Sequence, residues 1–330
     1  MQSSVRSKLL LAAAGFLAAI AIPTQVAAAY PERPIRVIVP FQPGGASDFV
    51  GRIMQPKLES ELGQNIVIEN RTGASGYVGV EIASEATPDG YTLLLGNIGT
   101  MAINAAVFPK FRVKPLKAFI GVTQVVDVPG MLVVNPKLPV HSVKELIEYA
   151  KARPGKLNFS ASGVGSNSRL AFELFQRKAG LKVVMVPYKG GAGGASLATV
   201  MGETEVTMLT SSSLLPYIRQ DKLRLLAVIA PKRLSAAPDA PTMGEVGFPE
   251  LKVGSWQGVF VPTGTPHAVV NRLFPAVVNT MHDPEVIRRL GTASAASITS
   301  KSPEDFRKFW VSESKRWSKV VNDVGAVSQR

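Results

Sequence analysis

The feature that most constrains the fold is an alternation: short β-branched runs followed, again and again, by stretches with helical apolar spacing. IRVIV at 35–39 is a strand signal that stops at Pro40. Residues 49–62 then place Phe49, Val50, Ile53, Met54, Leu58 and Leu62 at helical spacing. Pro56 sits inside that pattern, so a kink or a restart is expected there. Residues 66–68 and 91–95 read as strands, 142–152 as a helix, 170–179 as a helix, and 183–186 and 223–229 as strands. The 142–152 helix carries its own punctuation. Ser142 is placed as N-cap, Glu145 completes a capping box, and Pro154-Gly155 forms the stop. The last helix opens at Ser302-Pro303 and should bury Phe306, Phe309, Trp310, Trp317, Val320, Val321 and Val324. Strands alternating with helices predict α/β units with largely parallel sheets.

The first 29 residues fall outside that alternation. Arg6 and Lys8 precede an uncharged apolar stretch over 9–22, and small residues at Ala27 and Ala29 follow. This is the pattern of a secretory signal peptide, with cleavage expected before Tyr30. The same segment left uncleaved would act as an N-terminal anchor. No later stretch reaches the roughly 18 consecutive apolar residues of a membrane span, so the mature protein is expected to be exported and soluble. In a bacterial periplasm it would have no ATP supply, which argues against a kinase or ATPase. The compartment also excludes a cytosolic nucleic-acid regulator, although a net charge of +13 would otherwise invite that reading. Removing Arg6 and Lys8 leaves 13 − 2 = +11 on the mature chain. That charge is scattered, and it would concentrate small anions by long-range attraction.

About 300 mature residues suffice for two domains with their own cores. The chain has no Cys, and its three His residues, His141, His267 and His282, lie far apart and beside no acidic cluster. Disulfides and thiolate chemistry are excluded, and a zinc site or a His-based triad is not indicated.

In open α/β sheets ligands sit beyond the carboxyl ends of the strands. Four loops in such places are rich in Gly and small hydroxyl residues. The first is FQPGGASD at 41–48, where Gly44 and Gly45 permit close backbone approach, Ser47 or Asp48 would cap the next helix, and its N-terminus would face an anion. An ordinary strand-to-helix turn would look the same. The second is NRTGASG at 70–76, for which a simple Gly-rich turn is the competing reading. The third is SASGVGSNSR at 160–169. Gly163 and Gly165 free the backbone, Ser166 and Asn167 offer donors, and Arg169 could pair with a carboxylate or be solvated. The fourth is PYKGG at 187–191, where Tyr188 can pack on a ligand and Lys189 adds a charge.

Catalytic motifs are missing. Ser75 follows Gly73, but Tyr77 stands where a nucleophile elbow needs its second Gly. Gly155-Lys156 is followed by Leu157, which breaks a phosphate-binding loop, and Gly163-Val164-Gly165 lacks the third Gly of a dinucleotide fingerprint because position 168 is Ser. Many N–H donors with no poised acid, base or nucleophile describe a binder rather than an enzyme.

The chain resembles the Bug-type, or TctC-like, extracytoplasmic solute receptors of tripartite tricarboxylate transporters. The residues that carry the resemblance are YPERPI (30–35), VPFQPGGASD (39–48), ENRTGA (69–74), PDGYTLLLG (88–96), LVVNP (132–136), SVKEL (142–146), RPGKLNFS (153–160), VPYKG (186–190), KLRLLAV (222–228), WQG (256–258) and PTGTP (262–266). They run in order through essentially the whole mature chain. The resemblance implies a two-domain periplasmic-binding-protein (Venus-flytrap) fold, each domain a mostly parallel sheet flanked by helices, with the ligand cleft between them. By this analogy 1–29 is the signal peptide, domain 1 covers 30–130 and 255–330, and domain 2 covers 131–254. Two crossing strands near 132–134 and 258–261 would form the hinge.

The implied function is capture of a small carboxylate and its delivery to a membrane permease, with no cofactor, no metal, no nucleic acid and a monomeric state. The ligand could be a dicarboxylate or tricarboxylate, an aromatic acid or an amino acid. A periplasmic sensor that passes the signal to a membrane protein would share the fold and the cleft, and a secreted hydrolase is the remaining enzyme alternative. The candidate binding set is Phe41, Pro43, Gly44, Gly45, Ser47, Asp48, Asn97, Ser162, Gly163, Gly165, Ser166, Asn167, Arg169, Pro187, Tyr188, Lys189, Gly190 and Ser211. The chain departs from the family's usual pattern in four places. Arg169 stands where His is usual, Thr72 for Pro, Ser75 for Gly, and Gly193-Gly194 for a segment that often holds Pro and Ala. Arg169 is therefore a candidate for reading a second carboxylate.

Overall fold

The computed structural model describes residues 30–251 and 254–328. The expected signal peptide, 1–29, lies outside the described residues. Among the described residues no helix is long and apolar enough to cross a membrane.

Among the described residues eleven strands form two sheets. The first contains β1 (Ile35–Val39), β2 (Ile66–Asn70), β3 (Thr92–Asn97), β4 (Phe119–Val128), β10 (Ser255–Pro262) and β11 (Ala296–Ser297), in the order β11-β4-β10-β3-β1-β2. The second contains β5 (Gly130–Val134), β6 (Asn158–Ala161), β7 (Val184–Pro187), β8 (Val206–Thr210) and β9 (Arg224–Ile229), in the order β7-β6-β8-β5-β9. The period-2 alternation of the strands divides the first sheet between two helical layers. Val37, Val39, Leu93, Leu95, Val259 and Val261 face one layer, built on α1 (Ala46–Leu62), α9 (His267–His282) and α10 (Pro284–Gly291). Their neighbours Ile38, Leu94 and Phe260 point the other way, onto α2 (Tyr77–Ser84) and α11 (Pro303–Val324). In the second sheet Leu132, Val134, Val206 and Met208 pack with α5 (Val143–Lys151) and α6 (Asn167–Ala179). Met131, Val133, Leu209 and Val228 face α7 (Gly191–Met201) and α8 (Ser211–Ile218). Two short helices, α3 (Asn104–Val107) and α4 (Pro115–Ala118), complete the first lobe.

The α/β two-lobed class stands, but each sheet is mixed rather than mostly parallel. β1 pairs in parallel with β2 and β3, while β10 runs antiparallel to both β3 and β4. In the second sheet β6 is parallel to β7 and β8, and β5 is antiparallel to β8 and β9. The cause is the routing of the chain. It leaves the first sheet at Pro129, between β4 and β5, and returns between β9 and β10. The strands bordering those passages are inserted against the direction of their neighbours. Residues 132–134 and 258–261 accordingly lie inside β5 and β10, and the passages between sheets fall beside them.

The helix boundaries follow local chemistry. Ser142 Oγ accepts from the Glu145 N–H at 3.1 Å, and the Glu145 carboxylate reaches back to the His141 N–H at 2.7 Å. Ser302 caps α11 through the Asp305 N–H at 3.1 Å. Phe306, Trp310, Trp317 and Val321 of that helix are buried, while Phe309, Val320 and Val324 pack at the margin. Helix α1 runs unbroken through Pro56, which lies on its exposed side. Its N-cap is Gly45 rather than Ser47 or Asp48. Asp48 instead reaches back from the first turn and accepts from the Gly44 N–H at 3.1 Å.

Candidate ligand-binding site

Between the lobes lies a cavity of about 80 Å³, several times the roughly 10–15 Å³ that one water requires. Its walls come from both lobes and belong to the loops at strand ends. From the first lobe come Phe41, Gly45, Ala46 and Ser47 after β1, Ser75 after β2, and Asn97, Ile98 and Gly99 at the end of β3. From the second come Ser162, Gly165, Ser166, Asn167, Ser168 and Ala171 around the start of α6, Ala192 in α7, and Met208, Leu209 and Thr210 at the end of β8. Gly130, Ile229 and Ser255 close the cavity where the chain passes between the sheets.

The electrostatics are unusual in what supplies them. Among the described residues, none that lines the cavity carries an ionisable side chain. The positive pole comes from helix ends: Gly45, Ser166 and Thr210 are the N-caps of α1, α6 and α8, and Ala192 lies in the first turn of α7. Each helix terminus presents unpaired N–H groups and about half a positive charge. Four such ends border one small volume, a setting suited to negative charge, although the Gly191, Ser211 and Arg169 N–H groups already have partners in Tyr188, Pro129 and Ser166. Met208, Leu209, Ile229 and Ala171 add apolar surface to the wall.

Two polar side-chain atoms of lining residues are buried without partners: Ser47 Oγ and Asn167 Oδ1. The Asn167 amide is oriented by its Nδ2, which donates to the Gly254 carbonyl at 3.3 Å. Asn97 holds the β3 turn by accepting from the Thr100 N–H at 3.0 Å.

Of the residues expected from the sequence, the structure brings eight together on the wall: Phe41, Gly45, Ser47, Asn97, Ser162, Gly165, Ser166 and Asn167. The others do not line it. The Asp48 carboxylate is spent within the first lobe, accepting from the Gly44 N–H, from Arg52 Nε at 3.0 Å and from Asn70 Nδ2 at 3.1 Å. Burial pushes its pKa up, but the hydrogen bonds from Arg52, Gly44 and Asn70 and the charge of Arg52 outweigh burial and hold it below the usual value. Pro43 and Gly44 are exposed at the loop tip, as are Pro187 and Lys189 in the fourth loop. Tyr188 turns away to donate to Glu203 at 3.0 Å. Gly190 abuts Gln42 of the opposite lobe, and Gly163 abuts Ser75. Ser211 is buried with its Oγ donating to the Ala293 carbonyl, across the lobes. Arg169 points along α6, paired with Glu173 at 2.6 Å and donating to the Val164 carbonyl at 2.9 Å, so its guanidinium is occupied away from the cavity.

Several wall residues were not in the expected set. Ser75 lies in a loop the sequence singled out, while Thr210 directly precedes Ser211. Met208, Leu209, Ile229 and Gly130 look in sequence like any buried strand residue, and nothing local marks them.

A two-lobed receptor of the periplasmic-binding-protein type is what this fold and this interlobe cavity define. The comparisons with known proteins place it more narrowly. A family described as "Tripartite tricarboxylate transporter family receptor", TctC, matches residues 50–326. Protein BugT of Bordetella pertussis (strain Tohama I) is 36% identical over 320 residues, covering 96% of this chain and 98% of that protein. Among solved structures, periplasmic binding protein BugD superposes with a TM-score of 0.87 at 30% identity, over 91% of this chain and 100% of BugD. MatC from Rhodopseudomonas palustris with bound malate gives 0.83 at 32% identity, over 88% and 100%. The R. palustris protein Rpa4515 with adipate gives 0.86 at 32%, over 90% and 98%. The chain belongs to the TctC family of tripartite tricarboxylate transporter receptors, the Bug-type solute-binding proteins.

Proposed function

We propose that this receptor is exported by its N-terminal signal, works in the periplasm as a monomer, captures a small carboxylate between its lobes and presents it to a tripartite tricarboxylate-type permease. The observation that carries the carboxylate is the meeting of four helix N-terminal ends at a cavity whose described wall residues carry no ionisable side chain. Relatives with malate and adipate bound support the same ligand class. Ser47, Gly45, Ser166 and Asn167 are assigned to the anion, and Phe41, Ala171 and Leu209 to the carbon skeleton. The lobes are taken as 30–130 with 255–330, and 131–254. Binding needs no covalent step: a ligand that fits the closed form better than the open form draws the lobes together. We assign no catalytic role to any residue.

A thermal-shift panel of small carboxylates against neutral analogues, on residues 30–330 refolded free of bound ligand, tests the reading. Ligand at 100 times its Kd adds about 2.7 kcal/mol, or very roughly 5–10 °C. Shifts confined to acids support the assignment. A shift from a neutral analogue with none from any acid would overturn it.

A further inference from the structure

Four consecutive residues in the second loop have positive φ: Gly73 (133°), Ala74 (45°), Ser75 (58°) and Gly76 (88°). For the two glycines this costs little. Ser75, at φ 58° and ψ 34°, sits squarely in the left-handed region, where a β-carbon is penalised. Strain of this kind persists where the surroundings over-determine it, and it marks places worth asking about function.

The conformation aims Ser75 across the cleft. Its Oγ accepts from the Gly165 N–H of the opposite lobe at 3.3 Å, and a β-carbon on Gly163 would stand 3.0 Å from the same oxygen. The Ser75 carbonyl accepts from Asn104 Nδ2 at 2.9 Å. Asn104 Oδ1 in turn faces Gly165 so closely that a β-carbon there would lie 2.0 Å away. Ser75, Asn104 and Gly165 therefore form one interlocking contact between the lobes, at the stretch of cavity wall that Ser75 and Gly165 share.

We propose that Ser75 is a latch of the closed form. Its hydroxyl holds the Gly163–Gly165 turn of the second lobe against the first, and so sets how much of the unliganded receptor is closed. Affinity then scales with that closed fraction, because a ligand that needs the closed form binds in proportion to its population. The link to affinity rests on the cavity being the ligand site. The link to closure does not.

The test uses the absence of Cys in the chain. Glu85→Cys on the first lobe and Lys144→Cys on the second, both at exposed positions, take spin labels at those two sites alone. Double electron–electron resonance reads the lobe separation without and with the acids found in the thermal panel. Ser75→Gly removes the hydroxyl and relieves the strain, whereas Ser75→Ala removes the hydroxyl and keeps the strain. Both should lower the closed-to-open ratio of the unliganded protein about threefold to tenfold, as loss of one hydrogen bond implies, with affinity falling in step. Ser75→Gly should melt no lower than the parent, and Ser75→Ala no higher than Ser75→Gly. Unchanged distance distributions in both variants overturn the latch. So does a loss of affinity without a change in lobe separation, which makes Ser75 a plain ligand contact. If no acid binds the parent, the carboxylate reading fails, and the distance distributions still decide the latch.

Discussion

Asp127 sits near the end of β4, in register with Trp256 of β10 and beside the place where the chain leaves the first sheet. Burial, reinforced by the charge of Glu313, pushes its pKa from 3.8 up to about 6. One of its oxygens is buried without a partner. An acid with a raised folded pKa binds its proton more tightly folded than unfolded. Its contribution to stability is whole below pH 4 and lost as the pH climbs through 6. The difference amounts to about 3 kcal/mol at neutral pH. Asp127→Asn should therefore flatten the decline in melting temperature between pH 4 and 7, and should raise it by several degrees at pH 7.5. A pH series of thermal melts checks this, and an unaltered decline would assign the proton uptake elsewhere. Gly165 yields a second prediction at the same scale. Its missing β-carbon would meet Asn104 at 2.0 Å and Phe108 at 2.6 Å. Both neighbours are held, Asn104 by Ser75 and Phe108 by stacking on Phe111 at 4.5 Å. Gly165→Ala should keep the lobes apart and weaken ligand binding by roughly tenfold or more, with little change in the unliganded melting temperature. Titration calorimetry beside thermal melts separates the two effects.

At the scale of the element, α11 fastens the first lobe. Trp310 is fully buried and donates from Nε1 to the Met101 carbonyl at 2.7 Å. Three residues on, Glu313 accepts from Trp256 Nε1 at 3.0 Å and from Trp317 Nε1 at 3.3 Å, tying the helix to β10 next to Ser255 on the cavity wall. Trp310→Ala should cost about 3–5 kcal/mol, read as a fall in the urea midpoint. The elements are also where the sequence was most and least informative. The capped helices at 142 and 302 and the IRVIV strand were legible because their chemistry is local. The β5, β8 and β10 pairings were not. Their direction depends on where the chain passes between sheets, and no local pattern encodes that. The same contrast holds in the site. Loops 41–48 and 160–169 were readable from Gly and hydroxyl content, whereas Met208, Leu209 and Ile229 become wall residues only through pairing. Arg169 and Asp48 show the converse. Their charges suggested ligand contact, yet each has a nearer partner in Glu173 or Arg52.

At the scale of the molecule, the excess of basic residues acts beyond any contact. Across the whole chain the formal charge is +13, and among the described residues no fixed charge lines the cavity. Long-range attraction would then speed the arrival of an anion without deciding how tightly it is held. Raising ionic strength from about 0.01 to 0.15 M shortens the screening length from roughly 30 to 8 Å. The association rate for a carboxylate should fall severalfold over that range while the dissociation rate stays nearly constant, which stopped-flow measurements resolve. Equal sensitivity of both rates would place a fixed charge against the ligand after all.

The cavity's reliance on helix ends has an evolutionary consequence. Peptide N–H groups are present whatever side chain a codon specifies, short of proline. On the reading proposed above, recognition of negative charge is thus largely sheltered from point mutation, and the side chains on the wall are left free to drift. A lineage built this way can change which acid it collects without first losing the ability to hold one.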